Sequence, residues 1–296
     1  MKMVIDIHEH VIPRRGFLHP RTGETICTAA ELVAIMDREG IDRMVALPLS
    51  SPETYHFVQS VEEVFEACDQ FPDRFIKFAN ADPRLEQNAT ADYDFVPILD
   101  YYRSCGARGV GEAVANLPWD DPRYQNLLRA CNALAMPFLF HLTSREFNTY
   151  GIITELGLGG LERALQCYPR VQFIGHSPGW WSHISGDCSL SEMDGYPRGT
   201  VVPGGRVPEL MRRYPNLWGD LSAGSGCNAL ARDPEFAWGF LDEFQDRLLM
   251  GLDLCIPSND RCELLGLLRQ AQQGGKIAPR VWAKVMGDNA AALLQL

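Results

Sequence analysis

Eight short apolar runs recur along the chain, and a stretch with helical periodicity separates each from the next. The runs cover residues 4–8, 44–48, 75–79, 109–113, 137–142, 171–175, 217–221 and 248–252. Most are apolar at every position rather than at alternate ones. Strands covered on both faces have that pattern, and such strands build parallel sheets with helices packed outside. Local chemistry marks the intervening helices. Residues 30–38 place Leu32, Ile35 and Met36 on one face, and residues 122–134 begin with Asp121-Pro122, an N-cap followed by proline at the first helical position. Tyr168-Pro169 and Tyr214-Pro215 each stop a helix just ahead of the next run. The alternation predicts an α/β fold, a (β/α)8 TIM barrel, with an open doubly wound sheet as runner-up. No linker, repeat or low-complexity tract divides the sequence, so residues 1–296 are expected to form a single domain. The longest connection, residues 177–205, is rich in Gly, Pro and Trp and reads as a functional lid.

Charge and composition narrow the partners. Twenty-seven Lys and Arg against 38 Asp and Glu give a net charge of −11, with no basic stripe, which excludes nucleic acid as an expected partner. No apolar run approaches the roughly 18 residues of a membrane span, and the acidic, histidine-bearing start does not read as a signal peptide. The nine cysteines show no CxxC pair or framework spacing, so reduced thiols and a cytoplasmic location are expected.

In a (β/α)8 barrel, reacting groups collect at the C-terminal ends of the strands. The first run ends in His8-Glu9-His10, whose two imidazoles fall on one face of a strand and can grip one ion. The fifth ends in Phe140-His141, the sixth in Gly175-His176 and the eighth in Gly251-Leu252-Asp253. Imidazole nitrogen with carboxylate oxygen suits a divalent metal: zinc first, with manganese, iron or cobalt as alternatives. Such an ion makes a bound water available as a nucleophile near neutral pH, and a neighbouring carboxylate can take its proton.

These residues carry a resemblance. The pieces Ile5-Asp6-Ile7-His8-Glu9-His10, Phe140-His141, Phe173-Ile174-Gly175-His176-Ser177, Asp220-Leu221-Ser222, Met250-Gly251-Leu252-Asp253 and Gly287-Asp288-Asn289-Ala290-Ala291 resemble, in order, the metal-dependent amidohydrolase superfamily. The pattern is most similar to the branch that includes aminocarboxymuconate-semialdehyde decarboxylase-like proteins. The resemblance implies that His8, His10 and His141 ligate the metal. It makes Asp253 a ligand or holder of the attacking water and the catalytic base. His176 would polarise the substrate or bind a second ion. Glu112, at the end of the fourth run, matches the bridging carboxylate of two-metal members. Its alternative is a buried carboxylate held by Arg108 or by backbone donors. One ion or two are thus expected. The motif's usual hydroxyl residue before the last Asp is Leu252 here, which leaves the ligand untouched.

The function expected is hydrolysis of an amide, ester or lactone of a small molecule by a metal-activated water. The alternative is a lyase, a non-oxidative decarboxylase or hydratase of a small carboxylic acid, using the same site. Trp180, Arg145 and Tyr55, near strand-end loops, are the candidate substrate contacts. Arg145, with Arg14, Arg15 and Arg198, could clamp an anion or be ordinary solvated charge. Asp6 is a candidate for orienting an imidazole. Asp220 and Ser222 are expected to shape the end of the seventh strand, and His183 to lie on the surface or rim. Trp180 and Trp181 could cap the pocket or plug a neighbouring subunit, which makes a homodimer a candidate assembly.

Overall fold

The computed structural model describes residues 3–54, 58–86, 91–146 and 149–296. In chain order the strands are β1 (Ile5–Glu9), β2 (Arg43–Ala46), β3 (Phe75–Lys77), β4 (Val110–Ala113), β5 (Phe138–Thr143), β6 (Ile152–Ile153), β7 (Phe173–His176), β8 (Leu217–Asp220) and β9 (Leu248–Leu249). Eight of them are the eight apolar runs. The short β6 was not expected; it lies in the connection after β5 and pairs with that strand. All pairings are parallel, along the paths β1-β2-β3 and β4-β5-β7-β8-β9.

Backbone hydrogen bonds join the two paths at both seams. Between β3 and β4, the Ala79 N–H donates to Gly109 and the Gly111 N–H to Ala79, each at 2.9 Å. Between the end of β9 and β1, Ile7 donates to Met250 at 2.9 Å and Asp253 to His8 at 3.0 Å. The sheet is therefore closed, and the fold is a (β/α)8 barrel rather than an open sheet.

Two apolar clusters divide the core. The inner one fills the barrel with Ile5, Ile7, Val45, Leu47, Ile76, Phe78, Leu139, Ile174 and Leu249. Ala290 and Leu294, from the helix Asn289–Leu294, complete it. That segment seals the N-terminal end: a Cβ at Gly287 would come within 1.9 Å of the Met3 carbonyl oxygen, so only glycine fits there. The outer, larger cluster lies between strands and helices.

The helices close as their sequences predict. Ala29–Glu39 starts with a capping box between Thr28 and Glu31 and ends at Gly40 in the left-handed conformation. Ala223–Ala231 was not expected, because two glycines, a serine and an asparagine give it weak intrinsic propensity. Packing against Glu263–Gln273 stabilises it instead. No helix among the described residues is long and apolar enough to cross a membrane, and all nine cysteines are free.

The connection 177–205 is half plug and half lid. It opens with a helical turn, Pro178–Trp181, whose two tryptophans are buried. The Trp180 ring lies over Gly175, where a Cβ would come within 2.6 Å of it, and packs edge-on against Phe140. Trp181 donates from its indole to the Asp220 carbonyl at 2.7 Å. His183, expected at the surface, is buried and bonded to the Gly179 carbonyl at 2.8 Å. The tryptophans that suggested a dimer are thus used inside the chain. Further along, Asp194 and Tyr196 lean over the barrel mouth.

Candidate metal centre

Two strand irregularities build the site. Ile5 and Ile7 face the barrel interior, so strict alternation would turn His8 and His10 away from it. The pairing of β1 with β2 slips between Asp6 and Glu9, and beyond the slip both imidazoles face the axis. A matching slip in β4, between Val110 and Ala113, turns Glu112 inward. The other groups need no irregularity. His141, His176 and Asp220 stand two residues beyond Leu139, Ile174 and Trp218, on the same inward face.

The groups converge on one buried space, with two carboxylates shared among the imidazoles. Glu112 divides its oxygens. Oε2 faces Nε2 of His8 at 3.8 Å and of His10 at 3.5 Å, while Oε1 faces His176 Nε2 at 3.8 Å and His141 Nδ1 at 2.8 Å. Asp253 does the same: Oδ1 lies 3.8 Å from His8 and 3.7 Å from His10, and Oδ2 lies 3.6 Å from His176. Donors bound to one tetrahedral ion at about 2.0–2.2 Å stand about 3.4 Å apart. These separations lie close to that spacing. His8, His10 and Asp253 form one ion-sized group, and His8, Glu112 and His176 another.

Supporting groups fix which nitrogen points inward. His8 Nδ1 is 2.7 Å from Asp220 Oδ2, and His10 Nδ1 donates to the Leu47 carbonyl at 2.9 Å. His176 Nδ1 meets Ser222 Oγ at 2.9 Å and Asp220 at 3.1 Å. Each of the three rings therefore presents Nε2 to the centre, the arrangement that metal-binding histidines need. His8 Nε2 is buried and has no hydrogen-bond partner. An orphaned acceptor there, facing two carboxylates, fits a bound cation.

The electrostatics favour positive charge in this space. Burial works to raise Glu112, but hydrogen bonds from His10 and His141 hold it well below the usual carboxylate range. Asp253 is lowered against its burial by His8, His176 and His10. Asp220 is lowered in the same way by His8 and His176. Burial works to lower His176, yet Asp220, Glu112 and Asp253 push it up to about 9.

A layer beneath the donors holds the strand ends. Asp6 was a candidate for orienting an imidazole. It bonds backbone instead: its Oδ1 accepts from the N–H groups of His8 at 3.0 Å and Leu252 at 3.1 Å. Glu9, overlooked in the sequence, accepts from the Leu254 N–H at 3.2 Å and is bonded to Asp6. Burial pushes Asp6 up to about 7 and holds Glu9 well above the usual carboxylate range, while the pair sews β1 to the Asp253 segment. Asn80 donates to the carbonyls of Pro48 at 2.6 Å and Glu112 at 2.7 Å, fixing the end of β4.

Two cavities adjoin the donors. The larger, about 250 Å³, is lined by His141, His176 and Asp253 on one side and by Tyr150, Asp194 and Tyr196 among others. The smaller, about 90 Å³, meets His10, Glu112, Thr54, Tyr150 and Cys255. Two of the three expected substrate contacts fall elsewhere. Trp180 is fully buried in the outer core, because its ring fills the space left by Gly175. Arg145 is exposed in the turn after β5 and lines neither cavity. Tyr55 lies outside the described residues. Tyr150, Asp194 and Tyr196 went unforeseen because the loops that carry them have no periodicity. Asp220 was placed at the right strand end, but its bonds to two imidazoles were not foreseen. The inward parity that exposes His176 on β7 would have exposed it too.

No family model and no curated protein matches the sequence at a significant level. Solved structures do match the fold. An uncharacterised TIM-barrel protein from Bordetella bronchiseptica superposes with a TM-score of 0.66 at 18% identity, over 99% of this chain and 98% of the other. A 5-carboxyvanillate decarboxylase from Sphingomonas paucimobilis gives 0.61 at 16% identity, over all of both chains. An amidohydrolase from Burkholderia multivorans with bound zinc gives 0.61 at 15% identity, over 99% of each. The chain thus has the TIM-barrel fold that amidohydrolases and decarboxylases share, and the likeness runs its whole length.

Proposed function

We propose that the chain is a metal-dependent hydrolase of a small molecule, in which Glu112 would help to hold two divalent ions. The division of the Glu112 oxygens carries this reading, one facing His8 and His10 and the other His141 and His176. His8, His10 and Asp253 would hold one ion, and His141 and His176 the second. When bound, the ions polarise a substrate carbonyl and lower the pKa of a water to near neutrality. Zinc suits the donor set best, and manganese, iron or cobalt fit the same atoms.

The chain's own groups do the rest. Asp253 borders the larger cavity and is held ionised, so it can accept the proton of the attacking water at a carboxylate oxygen and return it to the leaving group. Asp220 and Ser222 keep the rings of His8 and His176 in place during the reaction. A decarboxylase on the same donors would need a cation to hold the substrate carboxylate. Among the described residues, no Lys or Arg lines either cavity at the donors, which supports hydrolysis.

Elemental mass spectrometry on protein purified without added metal or chelator tests this. About two equivalents per chain, falling toward one in Glu112→Gln, is the expected result. About one equivalent, unchanged in the variant, would overturn this role of Glu112 and return the decarboxylase reading. No retained metal, and none taken up on reconstitution, would overturn the metal centre.

A further inference from the structure

The larger cavity is lined by two kinds of group. His141, His176 and Asp253 come from the strand ends. Asp194 and Tyr196 arrive from the long connection after β7. Asp194 is fixed there: its Oδ1 accepts the Ser144 backbone N–H at 2.8 Å, tying the lid to the end of β5. Among the described residues it forms no ion pair, although most of this protein's partly buried carboxylates have an Arg partner, as Asp82, Asp121 and Glu162 do. None of the arginines that were candidates for clamping an anion lines this cavity. Arg14, Arg145 and Arg198 are exposed, and Arg15 pairs with Glu31.

Two tyrosines line the same cavity. The Tyr150 ring lies 4.5 Å from His141, centre to centre. Tyr196 stands over Gly224, where a Cβ would come within 3.2 Å of its ring. Tyrosine faces attract cations and are indifferent or unfavourable to carboxylates. A carboxylate with no ion-pair partner among the described residues, lining one cavity with two such rings, is a receptor for a positively charged group. The cavity's 250 Å³ is about eight water volumes at about 30 Å³ each, so the ligand is small.

We infer that this site selects a small substrate that carries, away from its reacting carbonyl, an amine or other cation held by Asp194 with Tyr150 and Tyr196, rather than a carboxylate. The inference rests on the metal-hydrolase reading, since the reacting carbonyl must lie by His141, His176 and Asp253. It assigns the discrimination to one side chain and gives it a sign. A carboxylate tail would meet Asp194 as a like charge in a partly desolvated space, and an ammonium tail would meet its counter-ion.

Three hydroxamates of matched length test it: β-alanine hydroxamate with a cationic tail, butyrohydroxamate with a neutral one, and succinic monohydroxamate with an anionic one. All three carry the same metal-chelating head. Binding to the zinc-loaded protein is measured by isothermal titration calorimetry, for wild type and for Asp194→Asn. The asparagine keeps the acceptor for Ser144, so the lid stays anchored. The expected order is cationic, neutral, anionic, with at least a tenfold gap between the first and last. In Asp194→Asn that gap should close to about twofold, with the neutral probe little changed. Equal binding of the three by wild type, or tighter binding of the anionic probe, would overturn the Asp194 assignment while leaving the metal centre standing. A gap that persists in Asp194→Asn would also overturn it. No binding by any of the three would overturn the metal centre itself, and the inference with it.

Discussion

Ile174 and His176 lie two residues apart on β7, and both point into the barrel. Leu139 and His141 repeat the pair on β5, and Trp218 and Asp220 on β8. One step of the pleat changes the interior from close-packed hydrocarbon to titratable groups. Below the step, Ile5, Val45, Ile76 and Leu249 fill space, and the C-terminal helix seals them from water. Above it, imidazoles and carboxylates leave room, and one buried nitrogen has nothing to bond. The lower layer gains from excluding everything. The upper layer makes sense only around something positive. The difference predicts that the two layers fail in different ways.

The largest contrast is expected at Asp253. Its φ of 55° lies in the left-handed region, which asparagine tolerates well, so Asp253→Asn should fold normally. It removes the carboxylate proposed to take the proton. Hydrolysis of p-nitrophenyl acetate by the zinc-loaded variant should fall about 10²- to 10⁴-fold, with the urea midpoint close to wild type. Unchanged turnover would remove Asp253 from the role of base. A large fall in the urea midpoint would show the upper layer to be structural after all.

Ile174→Ala is the converse. The side chain is fully buried in the inner cluster, so truncation should cost about 2–5 kcal/mol of stability. Urea denaturation would read that loss. Metal stoichiometry of the folded protein should stay at the wild-type value, because no donor is touched. A loss of metal with little loss of stability would mean that the two layers are not separable.

The sequence made the two layers unequally legible. All eight barrel strands were readable, because strands apolar on both faces advertise themselves and the prolines at 169 and 215 mark helix ends. The polar residues at the strand ends were also readable, from their position alone. Geometry decides what they do, and the slips in β1 and β4 leave no mark in composition or period. His8 and His10 have the wrong parity relative to Ile5 and Ile7, and only the slip reconciles them. Trp180 misled because an aromatic pair in a Gly- and Pro-rich connection looks exposed. The space that receives it is made by Gly175 on β7, and nothing in the loop itself records that. Asp194 is harder still, since its meaning depends on which cations do not reach it.

The smallest effect sharpens the comparison most, because it separates holding a ligand from being one. Asp220 stands among the donors but faces Nδ1 of His8 and His176 rather than the centre. Asp220→Asn keeps an oxygen for the Ser222 N–H, which now bonds Oδ1 at 2.9 Å. On its other side it offers an amide donor to imidazoles that need an acceptor. Each ring can then satisfy that donor only by moving its own proton to Nε2, the nitrogen required at the centre. Zinc affinity, measured by competition with a chelating dye, should fall about 10- to 100-fold. At saturating zinc the stoichiometry should be unchanged, since every ligand is still present. Unchanged affinity would mean that β7 and β1 hold their rings without help. Lost stoichiometry would place Asp220 among the ligands themselves and move the boundary between the two layers.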